Sequence, residues 1–252
     1  MAVEWVVAAG VLVGASALLW GLSAWMTRRI ETTVPINGRF VEVDGERFHY
    51  VEEGKGPPLV MIHGLMGSSR NLTYALSGQL RERFRVITLD RPGSGYSSRG
   101  AHTAADLPAQ ARQIAAFIKT LDLDKPLVLG HSLGGAIALA LALDHPHAVS
   151  GLVLVAPLTH PQRLLPLVFL SLAVRPAWLR RWVSHTLTLP VGLLTKGSVV
   201  KGVFAPDTAP PDFATRGGGL LGMRPDNFYA ASTEINTVND HPVSYTHLRL
   251  PT

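Results

Sequence analysis

The chain contains no cysteine among its 252 residues, and this absence excludes several kinds of chemistry at once. Disulfides, thiolate metal sites and a cysteine nucleophile all require that side chain. Charged residues are also scarce, at 16% of the chain, although the formal net charge is +5. No Lys/Arg-rich run interleaved with aromatics occurs, so nucleic-acid binding is not expected. No His/Asp/Glu cluster has ligand spacing and no phosphate loop is present, so no metal or organic cofactor is expected.

An uncharged apolar segment runs from Trp5 to Met26. As a helix it would be about 33 Å long, which is enough to cross the hydrocarbon core of a bilayer. The Arg28-Arg29 pair follows it and, by the positive-inside rule, indicates a cytoplasmic globular domain. A cleaved signal peptide is the alternative, but positive charge would then precede the run, where only Glu4 and the terminal amine stand. We therefore predict a single-pass membrane anchor over residues 1–29.

Two further features accompany this anchor. Gly10 and Gly14 form a GxxxG pair, through which two anchors could pack as a homodimer. Such pairs are also common by chance, so the pair alone does not decide between a dimer and a monomer. Residues 30–38 are interpreted as a short linker to the globular part.

The core that follows, residues 39–157, alternates strand and helix patterns. Strands on either side of Asp44-Gly45 are predicted to form a hairpin. Four unbroken apolar runs have the pattern of strands buried on both faces. The runs are Pro58–Ile62, Phe84–Leu89, Leu127–Leu129 and Gly151–Val155, with helices predicted over 104–121 and Ala136–Leu143. This alternation indicates an α/β fold, a mostly parallel central sheet with helices on both faces.

The region after the core has no clear strand pattern. Residues 158–230 are rich in leucine, proline and arginine, and we interpret them as a helical cap over the carboxyl ends of the strands. An ordinary helical layer packed on the sheet is the alternative. Residues 231–252 are interpreted as a segment returning to the sheet, followed by a tail without amphipathic pattern.

The sequence Gly130-His131-Ser132-Leu133-Gly134 has the pattern G-x-S-x-G between a predicted strand and a predicted helix. In that context Ser132 is expected on a sharp, strained turn, where only the small flanking glycines fit. A serine hydroxyl placed there can act as a nucleophile when a base takes its proton. The N–H of Leu133, at the start of the helix, would be one donor to an oxyanion.

Two other motifs follow neighbouring strands. In His63-Gly64-Leu65, the N–H of Leu65 could be the second oxyanion donor, and His63 is interpreted as ordering the loop rather than as the base. In the sequence DRPGSGYS, Asp90 is expected to hold a turn at the pocket floor. Ser98 stands where a dinucleotide-binding fingerprint would need its third glycine, so that fingerprint is not indicated.

Together, His63-Gly64, Asp90-Arg-Pro-Gly93 and Gly130–Gly135 resemble the α/β-hydrolase family, in particular its serine-nucleophile, esterase- and lipase-like members. The resemblance implies a cap after the sixth strand and a triad in the chain order Ser, acid, His. It implies hydrolysis of an ester, a thioester or a lipid. Epoxide hydrolases and haloalkane dehalogenases of this family carry an aspartate at the nucleophile position, so they are disfavoured.

The acid and the histidine of such a triad are not found. The family places them after a seventh and an eighth strand, and only six strands are predicted here. The remaining candidates lie too close together, in the cap or on the far side of the sheet: Asp240, His241, His247, His160, His185, His145 and His147. The tail beyond Asp240 resembles translated adapter sequence, so we expect that the reading frame is lost there. The 252-residue chain would then lack two strands, have an open apolar sheet edge and be inactive.

Three hypotheses follow for the function. The first is a membrane-anchored serine hydrolase that cleaves a small apolar or lipid-like ester, because apolar residues of the cap (Phe169, Trp178 and Trp182) stand beside Arg180 and Arg181. The second is a non-catalytic, membrane-tethered binding module of the same fold. The third is an acyltransferase that passes the acyl group to an alcohol or an amine.

Overall fold

The computed structural model describes residues 1–100, 102–160 and 167–238, with only the backbone at 167 and 168. Its centre is a six-stranded mixed sheet with the spatial order β1-β2-β4-β3-β5-β6. The strands are β1 (Arg39–Val43), β2 (Glu46–Glu53), β3 (Pro58–Ile62), β4 (Arg85–Leu89), β5 (Leu127–His131) and β6 (Gly151–Val155). Strands β3 to β6 are parallel to one another, whereas β2 is antiparallel to both β1 and β4. The predicted mostly parallel sheet is confirmed.

Eight α-helices surround or extend from this sheet in the described residues. They are α1 (Ala2–Thr33), α2 (Ser69–Leu72), α3 (Gly78–Leu80), α4 (Leu107–Thr120), α5 (Leu133–Asp144), α6 (Ala177–Thr186), α7 (Thr188–Phe204) and α8 (Pro225–Thr237). A π-helical turn (Thr73–Ser77) joins α2 to α3, and single 3₁₀ segments lie at Pro146–Ala148, Leu167–Leu172 and Leu221–Met223.

Both faces of the sheet are covered, because successive residues of a strand point to opposite sides. Val60 and Ile62 of β3 pack into the main core, which α4 and α5 complete. Leu59 and Met61 of the same strand face the other way and pack with Leu72 of α2. This two-sided burial explains the unbroken apolar runs in the sequence.

The β1–β2 hairpin turns at Asp44-Gly45, as predicted. Both residues have positive φ, +50° at Asp44 and +81° at Gly45. Two successive left-handed residues make the two-residue turn whose twist matches paired strands, and Val43 pairs directly with Glu46.

Helix α1 continues past the end predicted from its apolar run. The proposed linker begins inside the helix, which ends at Thr33, and Ile30 and Val34 are buried against Leu189 and Leu221. The linker interpretation was wrong for these residues, because their apolar side chains are part of a packed cluster. By length and composition α1 can cross a membrane, and a signal sequence fits the same criteria.

Strand β6 forms one edge of the sheet, so the described chain leaves one side of this strand unpaired. Val153 and Val155 are exposed there. The expected open apolar edge is therefore present in the described structure, and such an edge favours association with other strands.

A buried cation connects four parts of the fold. Arg91 follows β4 and is fully buried. Its guanidinium donates to the carbonyl oxygens of His63 and Gly64 after β3, each at 3.0 Å. It also donates to the side chains of Gln110 on α4, at 2.8 Å, and Glu234 on α8, at 2.7 Å. Helix α8 is thereby fixed to the loop that follows β3.

Glu234 provides the negative charge that balances Arg91 in this cluster. It also accepts a hydrogen bond from Arg99 at 3.0 Å and is almost completely buried. Burial alone would oppose its ionisation, but the guanidiniums of Arg91 and Arg99 hold the pKa of Glu234 below its usual range. The carboxylate is therefore negative at neutral pH and balances two buried cations.

Replacing Glu234 with glutamine keeps the size of the side chain but removes this charge. We expect the free energy of unfolding to fall by about 3–5 kcal/mol, because the buried guanidiniums lose their counter-ion. Denaturant unfolding of the detergent-solubilised protein measures the loss. The control is Glu53→Gln, which breaks a partly exposed pair with Arg81 and should cost at most about 1 kcal/mol. Equal losses in the two variants would contradict the prediction.

Candidate active site

Ser132 occupies the turn between β5 and α5, with φ +53° and ψ −118°. A non-glycine residue held in such a conformation costs about 1–3 kcal/mol, so its surroundings must enforce it. The main chain does so: the N–H of Ser132 donates to Val155 at 3.0 Å, and its carbonyl accepts from Gly135 and Leu158, both at 2.9 Å. The half-buried serine is therefore fixed beyond the carboxyl end of a central strand.

The glycines around Ser132 are required by close backbone approaches. A Cβ at Gly134 would collide with the carbonyl oxygens of Ile62, the last residue of β3, and of His63 after it. A Cβ at Gly130 would collide with the carbonyl of Gly134. A Cβ at Gly64 would lie 3.1 Å from the Cβ of Ser132. The loop after β3 and the turn after β5 are thus brought into direct contact.

Leu65 and Leu133 follow Gly64 and Ser132 in these two segments. In the described part of the chain, neither backbone N–H donates a hydrogen bond. Leu133 begins α5, where the first N–H groups have no acceptor within the helix. Two unpaired N–H groups beside a serine are the kind of donors that stabilise an oxyanion.

His63 lies at the base of the loop after β3 and is fully buried. Its Nδ1 is 2.8 Å from the carbonyl oxygen of Gly64, and its Nε2 accepts the N–H of Arg91 at 3.0 Å. Burial, together with the positive charge of Arg91, lowers the pKa of His63 to about 4. The ring is neutral with both nitrogens engaged, so His63 orders the loop and is not placed to take a proton from Ser132.

Asp90 organises the turn after β4. Its Oδ1 accepts from the N–H of Ser69 at 2.5 Å, and its Oδ2 from the N–H of Tyr96 at 2.8 Å. Oδ2 also lies 2.7 Å from Nδ1 of the buried His49. Burial opposes ionisation of this carboxyl, but the hydrogen bond and the electrostatic interaction with His49 hold the pKa of Asp90 below its usual range.

The His49–Asp90 pair was not predicted from the sequence, where the two residues are far apart. It has the composition of two members of a catalytic triad. However, β2 is three strands away from β5, which separates His49 from Ser132 by about 14 Å. The pair therefore stabilises the turn after β4 and does not act on Ser132.

No imidazole of residues 1–100, 102–160 or 167–238 is hydrogen-bonded to Ser132. His131 is exposed beside Gly64, and His145 ends α5 at the opposite end from the serine. His185 stacks on Trp20 of α1. His147 lies in the 3₁₀ segment after α5, and Nδ1 of His160 is 2.8 Å from the hydroxyl of Thr159. Three further candidates named from the sequence lie outside the described residues: Asp240, His241 and His247.

The family model of the alpha/beta hydrolase fold matches residues 57–203, more than half of the chain. The chain therefore belongs to the α/β-hydrolase family. Among curated proteins it is similar to haloalkane dehalogenase 2 of Mycobacterium tuberculosis, with 36% identity over 123 residues. That match covers 48% of this chain and 42% of the relative, so the chain spans about two-fifths of that protein's length.

Solved structures give the same fold. A membrane phospholipase A is 26% identical, with a TM-score of 0.59, and the match covers 93% of this chain and 71% of that one. The epoxide hydrolase CorEH is 22% identical, with a TM-score of 0.65 over 83% of this chain and 76% of its own. At that identity the second likeness concerns the fold alone.

The close approach at Gly134 provides a test of the turn around Ser132. Gly134→Ala places a methyl group against two backbone carbonyls. We expect the free energy of unfolding to fall by about 3 kcal/mol or more. The control is Gly78→Ala, since a Cβ at that helical position has no neighbour within 4 Å. Thermal unfolding of both variants compares the two sites, and a Gly134 variant as stable as the control would contradict the described packing.

His63 makes stability depend on pH in a defined window. The unfolded imidazole gains a proton below about pH 6.5, whereas the folded ring stays neutral down to about pH 4. Stability is therefore fully present above pH 6.5 and falls as the pH decreases towards 4, by up to about 3 kcal/mol. Denaturant unfolding at a series of pH values measures this slope.

The matched variants for this window are His63→Gln and His147→Gln, the second on an exposed ring. The first should be less stable at pH 7.5 but should lose less further stability down to pH 4.5. The second should behave like the parent chain. If the stability of the His63 variant depends on pH as steeply as that of the parent chain, another group is responsible for the pH dependence.

Proposed function

We propose that the protein is a membrane-anchored serine hydrolase that cleaves a carboxylic ester, or a related acyl bond, of an apolar substrate. Ser132 attacks the acyl carbon and forms an acyl-enzyme, which water then hydrolyses. The N–H groups of Leu65 and Leu133 receive the oxyanion of the tetrahedral intermediate, a contribution of about 3–4 kcal/mol per donor. No metal or organic cofactor takes part in this scheme.

The observation that carries the proposal is the contact between two segments. Ser132 stands on a strained turn, and the loop with Gly64 and Leu65 lies directly against it. A strained nucleophile turn next to unpaired backbone donors is the arrangement that acyl transfer requires. His63 and His131 keep supporting positions in this loop and turn.

The chemistry of serine favours an acyl substrate over an alkyl halide, although a dehalogenase is among the similar proteins. A serine oxygen that displaces a halide forms an ether, which water does not cleave, so the enzyme would stop after one turnover. An acyl-serine is an ester, which water can cleave with the help of a general base. A membrane phospholipase A among the similar structures is consistent with a lipid-like ester.

Apolar side chains of the cap support an apolar substrate. Leu65 and Met66, next to the proposed oxyanion donor, pack with Phe169, Leu172 and Phe228. The loop beside Ser132 thus packs on apolar side chains of the cap. Transfer of a hydrocarbon chain from lipid to apolar protein side chains costs less free energy than its transfer to water.

The packing of α1 supports an anchor that stays attached. Ser23 and Ile30 are buried, and Glu31 pairs with Arg224 at 2.8 Å. Cleavage at the end of the apolar run would remove Ser23 and the other contacts of the run with the cap. The proposal also includes a cytoplasmic orientation of the globular part. It further includes pairing of two anchors through Gly10 and Gly14.

The base and acid are proposed to come from outside the described residues, as the family resemblance implies. The test accordingly uses the protein encoded by the source gene, sequenced through its natural stop codon across codon 240. It is reconstituted in lipid nanodiscs and supplied with nitrophenyl esters of short and long acyl chains.

Ser132→Ala should reduce turnover of that protein by about a thousandfold or more, because the nucleophile is lost. Folding should change little, since alanine fits the same turn. Ser150→Ala, at an exposed serine before β6, is the matched control and should keep full activity. Undiminished activity of the Ser132 variant would refute the nucleophile assignment.

A fluorophosphonate probe separates this hydrolase from a binding module of the same fold. The hydrolase is labelled covalently at Ser132, and the Ser132→Ala variant is not. A binding module would retain apolar ligands but show no labelling in either form. Activity of the 252-residue chain itself would place the base within its own residues.

A further inference from the structure

The cap helices α6 and α7 expose an unusually apolar surface. Trp178 of α6 is 73% exposed and Leu194 of α7 is 86% exposed, and in the whole of α7 only Leu189 is buried. Trp182 of α6 and Val191, Val199 and Val203 of α7 are exposed as well. A large amount of exposed apolar surface on a protein usually marks a membrane or protein contact.

This surface is continuous with the apolar helix α1. Trp182 donates its indole N–H to the hydroxyl of Ser16 at 3.3 Å. The ring of Trp20 stacks on His185, with centroids 4.5 Å apart and planes 10° from parallel. Helix α6 therefore runs beside the middle of the apolar segment from Trp5 to Met26, not beside its charged end.

The position of Ser16 fixes the depth of α6. If Arg28 marks the lipid surface, Ser16 lies about 18 Å farther along the helix axis. Even with a tilt of about 40°, that residue is about 14 Å below the surface. This is close to the centre of a hydrocarbon core of about 30 Å. An anchor that spans the bilayer thus carries α6 into lipid with it.

The charge of this region fits a lipid surface. From His145 to Pro206 the sequence has six lysine and arginine residues and no aspartate or glutamate. Lys196 and Lys201 are exposed on α7, whereas the guanidiniums of Arg180 and Arg181 of α6 lie over the ring of Tyr229. Long basic side chains can reach lipid phosphates while their methylene groups stay in the apolar layer.

The backbone at the bend between α6 and α7 is also suited to lipid. The helices meet at 73°, yet the N–H of Leu187 still donates to Val183 at 2.9 Å. The hydroxyl of Thr186 donates to the carbonyl of Trp182 at 2.6 Å. Hydrogen-bonded backbone is the main requirement for a chain segment within the hydrocarbon layer.

We propose that α6 and α7 insert into the bilayer beside α1 as a bent, non-spanning pair, so that the outer face of the cap contacts acyl chains. The occupant of this surface is the lipid of an anionic membrane. The inference rests on the proposed membrane anchor, and it adds that the cap itself is embedded. A substrate dissolved in the membrane would then meet the protein at the cap.

The absence of cysteine makes a direct measurement possible. Single cysteines replace exposed residues in the full chain, one variant at a time: Leu194→Cys, Trp178→Cys, Leu12→Cys in α1 and Glu82→Cys near β4. Each carries an environment-sensitive fluorophore, and the protein is reconstituted in phosphatidylcholine–phosphatidylglycerol vesicles. Lipids with a quencher on the acyl chain report which labels lie in the hydrocarbon layer. Circular dichroism and the thermal midpoint confirm that each variant is folded.

We expect loss of fluorescence at positions 194 and 178 to the same extent as at position 12, and no loss at position 82. If the label at position 12 is quenched but the labels at 194 and 178 are not, the insertion of the cap is refuted, whereas the membrane anchor is supported. Another protein segment or water would then cover the cap. No quenching at position 12 either would overturn the anchor and, with it, this inference.

Discussion

The buried guanidinium of Arg91 is the interaction on which the candidate site depends. It binds the two carbonyls of the loop after β3, and it is neutralised by Glu234 from α8. A buried cation without a partner is far too unfavourable to persist, so the loop and the helix must be positioned together. The same loop presents Leu65 next to Ser132. The geometry of the candidate site therefore depends on a residue that lies outside both the turn with Ser132 and the loop with Leu65.

The turn at Ser132 is determined by more local constraints. The strained conformation needs small residues where backbones meet, and it needs the main-chain bonds to Val155 and Leu158. These requirements lie within a few residues of the serine or in the adjacent strands. For that reason the sequence pattern alone predicts the turn, and it predicts the amides of Leu65 and Leu133 as donors.

Other features could not be read from the sequence, because they join residues that are distant along the chain. The strands and the hairpin follow from local apolar patterns and were predicted with small errors at their ends. Arg91 and Glu234 are 143 residues apart, and His49 and Asp90 are 41 residues apart. The continuation of α1 into the core depends on Leu189 and Leu221 from the cap region. No local periodicity encodes such pairings.

The proposed location of the cap in the hydrocarbon layer would change what the active site must do for an apolar substrate. Moving a long acyl chain from lipid into water costs about 0.8 kcal/mol for each methylene group, or on the order of 12 kcal/mol for a sixteen-carbon chain. A site reached through water must recover that cost by binding the chain again. A cap that sits in the hydrocarbon layer avoids the step, because the chain never leaves an apolar environment. The binding energy of the cap can then be used to orient the acyl carbonyl towards Ser132 and the two backbone donors.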